Sequence, residues 1–370
     1  MSTFDAVVVG AGVFGAWTAL YLRRSGRTVA LLDAYGAGNS RSSSGGESRI
    51  LRMGYGADEI YTRWAIRSRE LWTDLFDRIG RPELFQRTGV LWTPRADDPR
   101  ADITQSVFEK YGVPLHRITA ADLAREFPHL CFREERVGLF EPQSGVLLAR
   151  QAVNAAVAEA VRQGVVYCND AAVACSESEL KTESGKSLST GATVYASGPW
   201  LPKLFPDILG GRIRITRQEV FFFGAAPPMP VWIDITGDHG AYTIPNIDSR
   251  GFKLAFDRHG PEFDPDTGDR VVLGLEAARA FLSERFPGLA GAPLVESRVC
   301  QYENTSTGDF LIDRHPGFKN VWLVGGGSGH GFKHGPAVGE YVCSLMDGTA
   351  HVEPRFSLES KSSSPRRSVF

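Results

Sequence analysis

Ala6-Val-Val-Val-Gly10-Ala-Gly12-Val-Phe-Gly15, running on with helical period to Arg24, is the stretch that decides the fold. An apolar, β-branched strand enters a glycine-rich turn, and the turn opens a helix. Gly10 permits the turn, Gly12 lets backbone approach a pyrophosphate, and Gly15 allows close helix–strand packing. Thr28 to Leu32 reads as a second buried strand with Asp33 at its end. There a carboxylate can accept from ribose hydroxyls. The unit is a complete βαβ motif of the dinucleotide-binding kind. Asp33 disfavours a 2′-phosphate and hence NADP, while FAD and NAD stay unseparated by this motif alone.

A second glycine-rich segment lies more than 300 residues on. Gly325-Gly326-Gly327-Ser-Gly329-His-Gly331-Phe-Lys333 follows the apolar run Val321-Trp-Leu-Val324 and again reads as strand, turn and helix. Two such segments at opposite ends of a chain suggest a fold whose termini converge on one cofactor. Between them the pattern changes. Gln151 to Arg162 is an Ala-rich helix, and Ala192 to Ala196 a strand that turns at Gly198-Pro-Trp200. Arg212 to Arg258 is dominated by short alternating apolar runs, which read as antiparallel strands. Val272 to Phe286 reads as a helix.

The expected class is α/β, α+β overall. A Rossmann-like dinucleotide domain is assembled from residues 1–85, 140–212 and 308–358. An antiparallel-sheet substrate domain is inserted as residues 86–139 and 213–307. The Ser-, Lys- and Arg-rich residues 359–370 are expected to be a disordered tail.

The formal net charge is −2, with both signs interleaved. Nucleic acid is therefore not an expected partner, because phosphate binding needs a concentrated basic face. Five irregularly spaced cysteines suggest neither a disulfide framework nor a zinc site. They fit a reducing, cytoplasmic setting. No metal and no membrane partner are expected, since no apolar run approaches the length of a span.

Three further segments carry a family resemblance. They are Ser44-Gly-Gly-Glu-Ser-Arg49-Ile-Leu-Arg52-Met-Gly-Tyr55-Gly, then Val299-Cys300-Gln-Tyr302-Glu-Asn-Thr305 with Asp309-Phe-Leu-Ile-Asp313-Arg-His315-Pro316, then Ser328-Gly-His-Gly-Phe-Lys333. With the opening fingerprint they resemble, in order and over nearly the whole chain, the monomeric sarcosine oxidase and N-methyl amino acid oxidase family. The resemblance implies FAD and oxidation of a secondary amino acid to an imine. It implies oxygen as acceptor, hydrogen peroxide as product and a monomer as the working form. A dehydrogenase with another acceptor is the alternative, and a non-catalytic flavoprotein a weaker one.

Residue by residue, Cys300 matches the cysteine that bonds the flavin 8α-methyl. A thiolate is the reactive form, favoured by a cationic neighbour; the competing reading is a plain core cysteine. Arg52 and Lys333 match the cations that hold the substrate carboxylate, as a planar fork and a point charge; Arg52 could instead be a solvated helix residue. Lys253, mid-strand among apolar residues, matches the lysine that promotes reaction with oxygen; the alternative is an outward-pointing strand lysine. Arg49 matches a residue beside the ring, and Tyr242 a pocket tyrosine, although strand tyrosines are often core. Ser43, Ser44, Gly198, Gly326, Gly329 and Gly331 complete the expected cofactor contacts.

The chain also departs from the family. Gly45 and Asp257 stand where histidines are usual, and Gly327 replaces a bulky aromatic. The expectation is a roomier and more anionic pocket bordered by Asp257 and Gly327. The substrate would then be larger than sarcosine, with a polar or cationic distal group.

Overall fold

The computed structural model describes residues 2–234, 236, 240–267 and 270–363. Six strands form one sheet in the order Val166–Asn169, Val29–Asp33, Ala6–Val9, Thr193–Tyr195, Val321–Gly325, Leu311–Arg314. The first five run parallel and the last is antiparallel. The two glycine-rich segments thus leave neighbouring regions of one sheet, with Thr193–Tyr195 between their strands. Buried on both faces, the inner strands read as unbroken apolar runs such as Ala6–Val9 and Val29–Leu32.

Helices Val13–Arg24, Ala149–Arg162 and Gly335–Met346 pack together beside this sheet. The approach of the first and last is close enough to require glycine: a Cβ at Gly339 would lie 2.6 Å from the Trp17 carbonyl carbon. Helix Glu59–Arg78 buries Tyr61, Ala65, Trp72, Leu75 and Phe76, the three-and-four spacing of one apolar face. The stretch between Val166–Asn169 and Thr193–Tyr195 is a small sheet of three strands joined by the N-terminal Ser2–Phe4.

An eight-stranded sheet faces this body. Its order is Leu294–Thr305, Ile213–Phe223, Phe252–Phe256, Ala241–Ile244, Val231–Asp234, Val90–Trp92, Gly138–Glu141, His116–Ile118. Leu294–Thr305 and Ile213–Phe223 pair along almost their whole lengths and form its backbone. Helix Leu275–Arg285 covers one face, seating Ala278 and Leu282 against Phe221, Phe223 and Phe252. That helix is three residues shorter at its start than the periodicity suggests.

Ser48–Leu51 is a strand held by pairing with Gly145–Leu148. One further difference from the sequence reading lies at the C-terminal end. Residues 359–363, expected to be tail, pack on the body. Lys361 is buried and donates to Thr307 Oγ1 at 3.3 Å and to the Arg355 carbonyl at 2.5 Å. Ser362 N donates to Ser306 Oγ at 3.0 Å. Residues 364–370 lie outside the described residues.

Candidate active site

The first turn builds one end of a long cleft. Gly10 has φ +104°, and a Cβ there would lie 2.4 Å from the Ala196 carbonyl oxygen. A Cβ at Gly15 would fall 1.8 Å from the Gly10 oxygen. Both positions therefore require glycine. The Ser44 hydroxyl accepts from Val13 N at 3.1 Å and ties the distant loop to the helix start. Asp33 accepts from Ala11 N at 2.7 Å and from Tyr35 N at 2.9 Å. Burial raises its pKa against these amides.

The cleft runs from Asp33 past Gly10, Gly12, Ser43, Ser44 and Gly198 to Arg49, Tyr302, Gly327, Gly329 and Gly331. It spans about 1270 Å³ of space, the open solvent at its mouth included. Gly326 lies behind the wall with φ +68°; a Cβ there would meet Thr305 Cγ2 at 2.5 Å.

Arg49 stands where three cavities meet. Its Nη1 donates to the Ser48 carbonyl at 2.9 Å, and Nη2 donates to the Ser43 carbonyl at 2.8 Å and to Cys300 Sγ at 3.3 Å. Burial opposes its charge, but Cys300, Tyr242 and Tyr302 outweigh burial and raise its pKa.

One neighbouring cavity is bordered by Cys300, Lys253 and Gly45. Lys253 is 2 % exposed and donates to the Ser48 carbonyl at 3.0 Å and Ser48 Oγ at 3.4 Å. Burial, reinforced by Arg49, lowers its pKa to about 7. It points inward, which removes the outward-lysine alternative.

The third cavity, spanning about 740 Å³ with the open solvent at its mouth included, adjoins the cleft through Arg49, Tyr302, Gly329 and Phe332. Arg52, Tyr242, Asp257 and Lys333 border it. Arg52 lies over the rings of Tyr55, at 4.1 Å, and Trp92, at 4.8 Å, and donates to the Gly54 carbonyl. Lys333 donates to Tyr55 Oη at 2.8 Å and to the His330 carbonyl at 2.9 Å. Two cations from segments 281 residues apart therefore meet at one tyrosine. Burial, then Arg52, holds the Lys333 pKa well below the usual lysine range, while Asp257 and Glu141 oppose this. Tyr242 is pushed up to about 12 by burial. Tyr302 is raised further by the same cause, with Tyr242 and Asp257 adding to it.

Two expected pocket features are corrected. Gly327 borders the cleft, where a Cβ would stand 3.4 Å from Glu303 Oε1, and not the Arg52–Lys333 pocket. Gly45 does not enlarge that pocket either. A Cβ there would lie 1.8 Å from the Asn39 oxygen, and its carbonyl accepts from Arg150 Nη2 at 2.7 Å. Of the three departures, Asp257 alone reaches the pocket.

Sequence reasoning missed several residues. Tyr55, Tyr302 and Glu303 sit inside the motifs and were legible there. Trp92 and Glu141 carried no signal. Glu141, fully buried, accepts from Trp92 Nε1 at 2.7 Å, Met53 N at 2.8 Å and Gly54 N at 3.1 Å, and also from Ser144 Oγ. It fixes both the backbone beside Arg52 and the indole beneath it.

A dinucleotide cleft opening into a cation-lined pocket defines a cofactor-dependent enzyme of the flavoprotein or nicotinamide type. The model of the FAD dependent oxidoreductase family matches residues 5–345, and the chain belongs to that family. It is 31% identical over 370 residues to monomeric sarcosine oxidase of Streptomyces avermitilis, covering 94% of this chain and 95% of that protein. It is 27% identical over 373 residues to N-methyl-L-tryptophan oxidase of Salmonella heidelberg, covering 96% and 97%. The fold matches that of L-proline dehydrogenase from P. horikoshii with a TM-score of 0.83, at 22% identity over 96% of this chain and 97% of the other. The resemblance read from the motifs is borne out: this is a flavin-dependent oxidoreductase related to the sarcosine oxidases. No described helix is long and apolar enough to cross a membrane.

Proposed function

We propose that this protein oxidises a secondary amino acid to an imine and passes the electrons to oxygen. The observation that carries this reading is the convergence of Arg52 and Lys333 on one pocket that opens into the dinucleotide cleft. Residues 1–85, 140–212 and 308–358 would form the cofactor domain, and 86–139 with 213–307 the substrate domain. Gly10, Gly12, Asp33, Ser43, Ser44 and Gly198 would hold FAD along the cleft. The glycine cradle, in which a Cβ at Gly10 has no space, fits such a group. Cys300, beside Arg49, would supply its covalent link.

Bound FAD supplies the two-electron redox chemistry. The balance is R–NH–CHR′₂ to R–N=CR′₂ with two electrons and two protons released, and oxygen taking up both to give hydrogen peroxide. The imine then hydrolyses. Arg52 and Lys333 hold the substrate carboxylate, and such placement lowers the barrier by fixing the reacting C–H. The guanidinium itself lies against the rings of Tyr55 and Trp92. A carboxylate arriving between them restores the proton that burial disfavours on Lys333. Lys253 provides a buried cation for developing negative charge on oxygen. Asp257 adds an acid to the pocket wall, which suits a distal polar or cationic group on a substrate larger than sarcosine. The working form would be a cytoplasmic monomer.

The test has two parts. Purified protein should be yellow, and its denatured mass should carry an FAD increment that disappears in Cys300→Ala. Peroxide release across N-substituted and cyclic amino acids of increasing size should peak above sarcosine. Peak efficiency on sarcosine would refute the substrate class. Turnover with a dye but no peroxide would identify a dehydrogenase.

A further inference from the structure

Glu303 is a buried acid that none of these roles employs. It belongs to strand Leu294–Thr305, next to Tyr302, and is 8 % exposed. Its main-chain carbonyl accepts from Ser328 N at 2.9 Å, which pins the strand to the second glycine turn. Its carboxyl sits among three glycines. A Cβ at Gly325 would lie 3.2 Å from Oε2, and those at Gly327 and Gly198 would lie 3.4 and 4.0 Å from Oε1. Oε2 is closed off from the cleft beside Gly325 and has no hydrogen-bond partner in the protein. Oε1 lies on the side of Gly327 and Gly198, which line the cleft. A carboxyl so placed is costly without a donor, and the side open to one is that of Oε1.

Glu303 borders the dinucleotide cleft and not the pocket of Arg52 and Lys333, so a donor for Oε1 would come from the cofactor. Along FAD, the adenosine end falls to Asp33 and the ring end to Arg49. The phosphates offer acceptors only and repel a carboxylate. The polyol chain between phosphate and ring carries hydroxyls, which donate. We propose that Glu303 is a cofactor-binding residue whose side chain accepts a hydrogen bond from a ribityl hydroxyl of FAD, an inference that rests on the FAD reading of the cleft. Burial also raises the Glu303 pKa to about 7, while the Gly326 and Gly327 amides oppose it. Both the neutral and the ionised carboxyl can accept from a hydroxyl.

The test uses apoprotein in the Cys300→Ala background, so that no bond to the ring obscures affinity. FAD is titrated in and its fluorescence quenching followed. Glu303→Ala should weaken binding at least ~10-fold, as expected for loss of a buried, charge-assisted hydrogen bond, and Glu303→Gln should stay within about threefold. Among FAD analogues lacking one ribityl hydroxyl each, one should bind the parent and Glu303→Ala equally. Should Glu303→Ala not fold, Glu303→Met keeps the volume and carries the same comparison. Equal FAD affinity in parent and variant would overturn the proposal. So would a difference that persists across every deoxy analogue, or one that vanishes only with N3-methyl FAD, which would move the contact to the ring. A parent that binds no FAD would overturn the cofactor reading itself.

Discussion

Two lysines, Lys253 and Lys333, lie buried on different sides of Arg49, and their surroundings differ. Lys253 projects from a strand of the eight-stranded sheet toward one residue, Ser48, and its charge is opposed first by burial and then by Arg49. Lys333 sits in the turn before helix Gly335–Met346, tied to Tyr55 and His330, with Arg52 against it and Asp257 and Glu141 for it. The first donates to a hydroxyl and a carbonyl, with Cys300 and Glu47 favouring its charge and Arg298 joining Arg49 against it. The second lies beside Arg52 and two acids, where an arriving carboxylate would favour its protonated form. On the proposed reading, the same residue type would serve two tasks because the fold surrounds it differently.

The largest effect should come from Lys253→Met. Rapid mixing of the reduced protein with air should show reoxidation slowed ~10²–10³-fold, the usual loss for one preorganised charge donor, with reduction by substrate little changed. Equal slowing of both half-reactions would erase the distinction between the two lysines. Lys333→Met should do the reverse. KM for amino acid substrates should rise about 10–100-fold from loss of one charge-assisted bond, while reoxidation stays near normal.

A smaller effect should follow from Glu141→Gln, which replaces an acceptor of four hydrogen bonds by a group with a donor on one side. Stability should fall by ~1–3 kcal/mol in a denaturant titration, and KM should rise with it as Arg52 loses its support. An unchanged KM would separate Glu141 from Arg52. Finally, the folded protein sheds the Lys253 proton near pH 7, whereas the unfolded chain holds it to about 10.5. The unfolded state binds more protons in that window, so stability should rise with pH there, by at most ~1.4 kcal/mol per unit for this group. Chemical denaturation across that range should show a shallower slope in Lys253→Met.

The cofactor side of this molecule was largely legible in the chain. Gly10, Gly12, Gly15 and Asp33 fall within a single local unit whose conformation follows from short-range sterics, and their spacing announces it. The pocket side was legible only where a motif carried it, as with Arg52, Lys333 and Tyr302. Trp92 and Glu141 gave no sign, because each reaches Arg52 through strand pairings far away in sequence. Gly45 and Gly327 show the same limit. Each was read as open space in the pocket, yet one is filled by backbone and the other faces the cleft.

By itself, then, the sequence settled most of the alternation of strands and helices and the glycine cradle, since these depend on neighbours a few residues away, while the cations were named through the family resemblance. Which cavity each side chain enters, how burial and neighbouring charge act on each lysine and which acid oxygen lacks a partner were decided by tertiary structure. Those properties depend on desolvation and on charges brought together from remote segments, and both arise only once the sheets have packed.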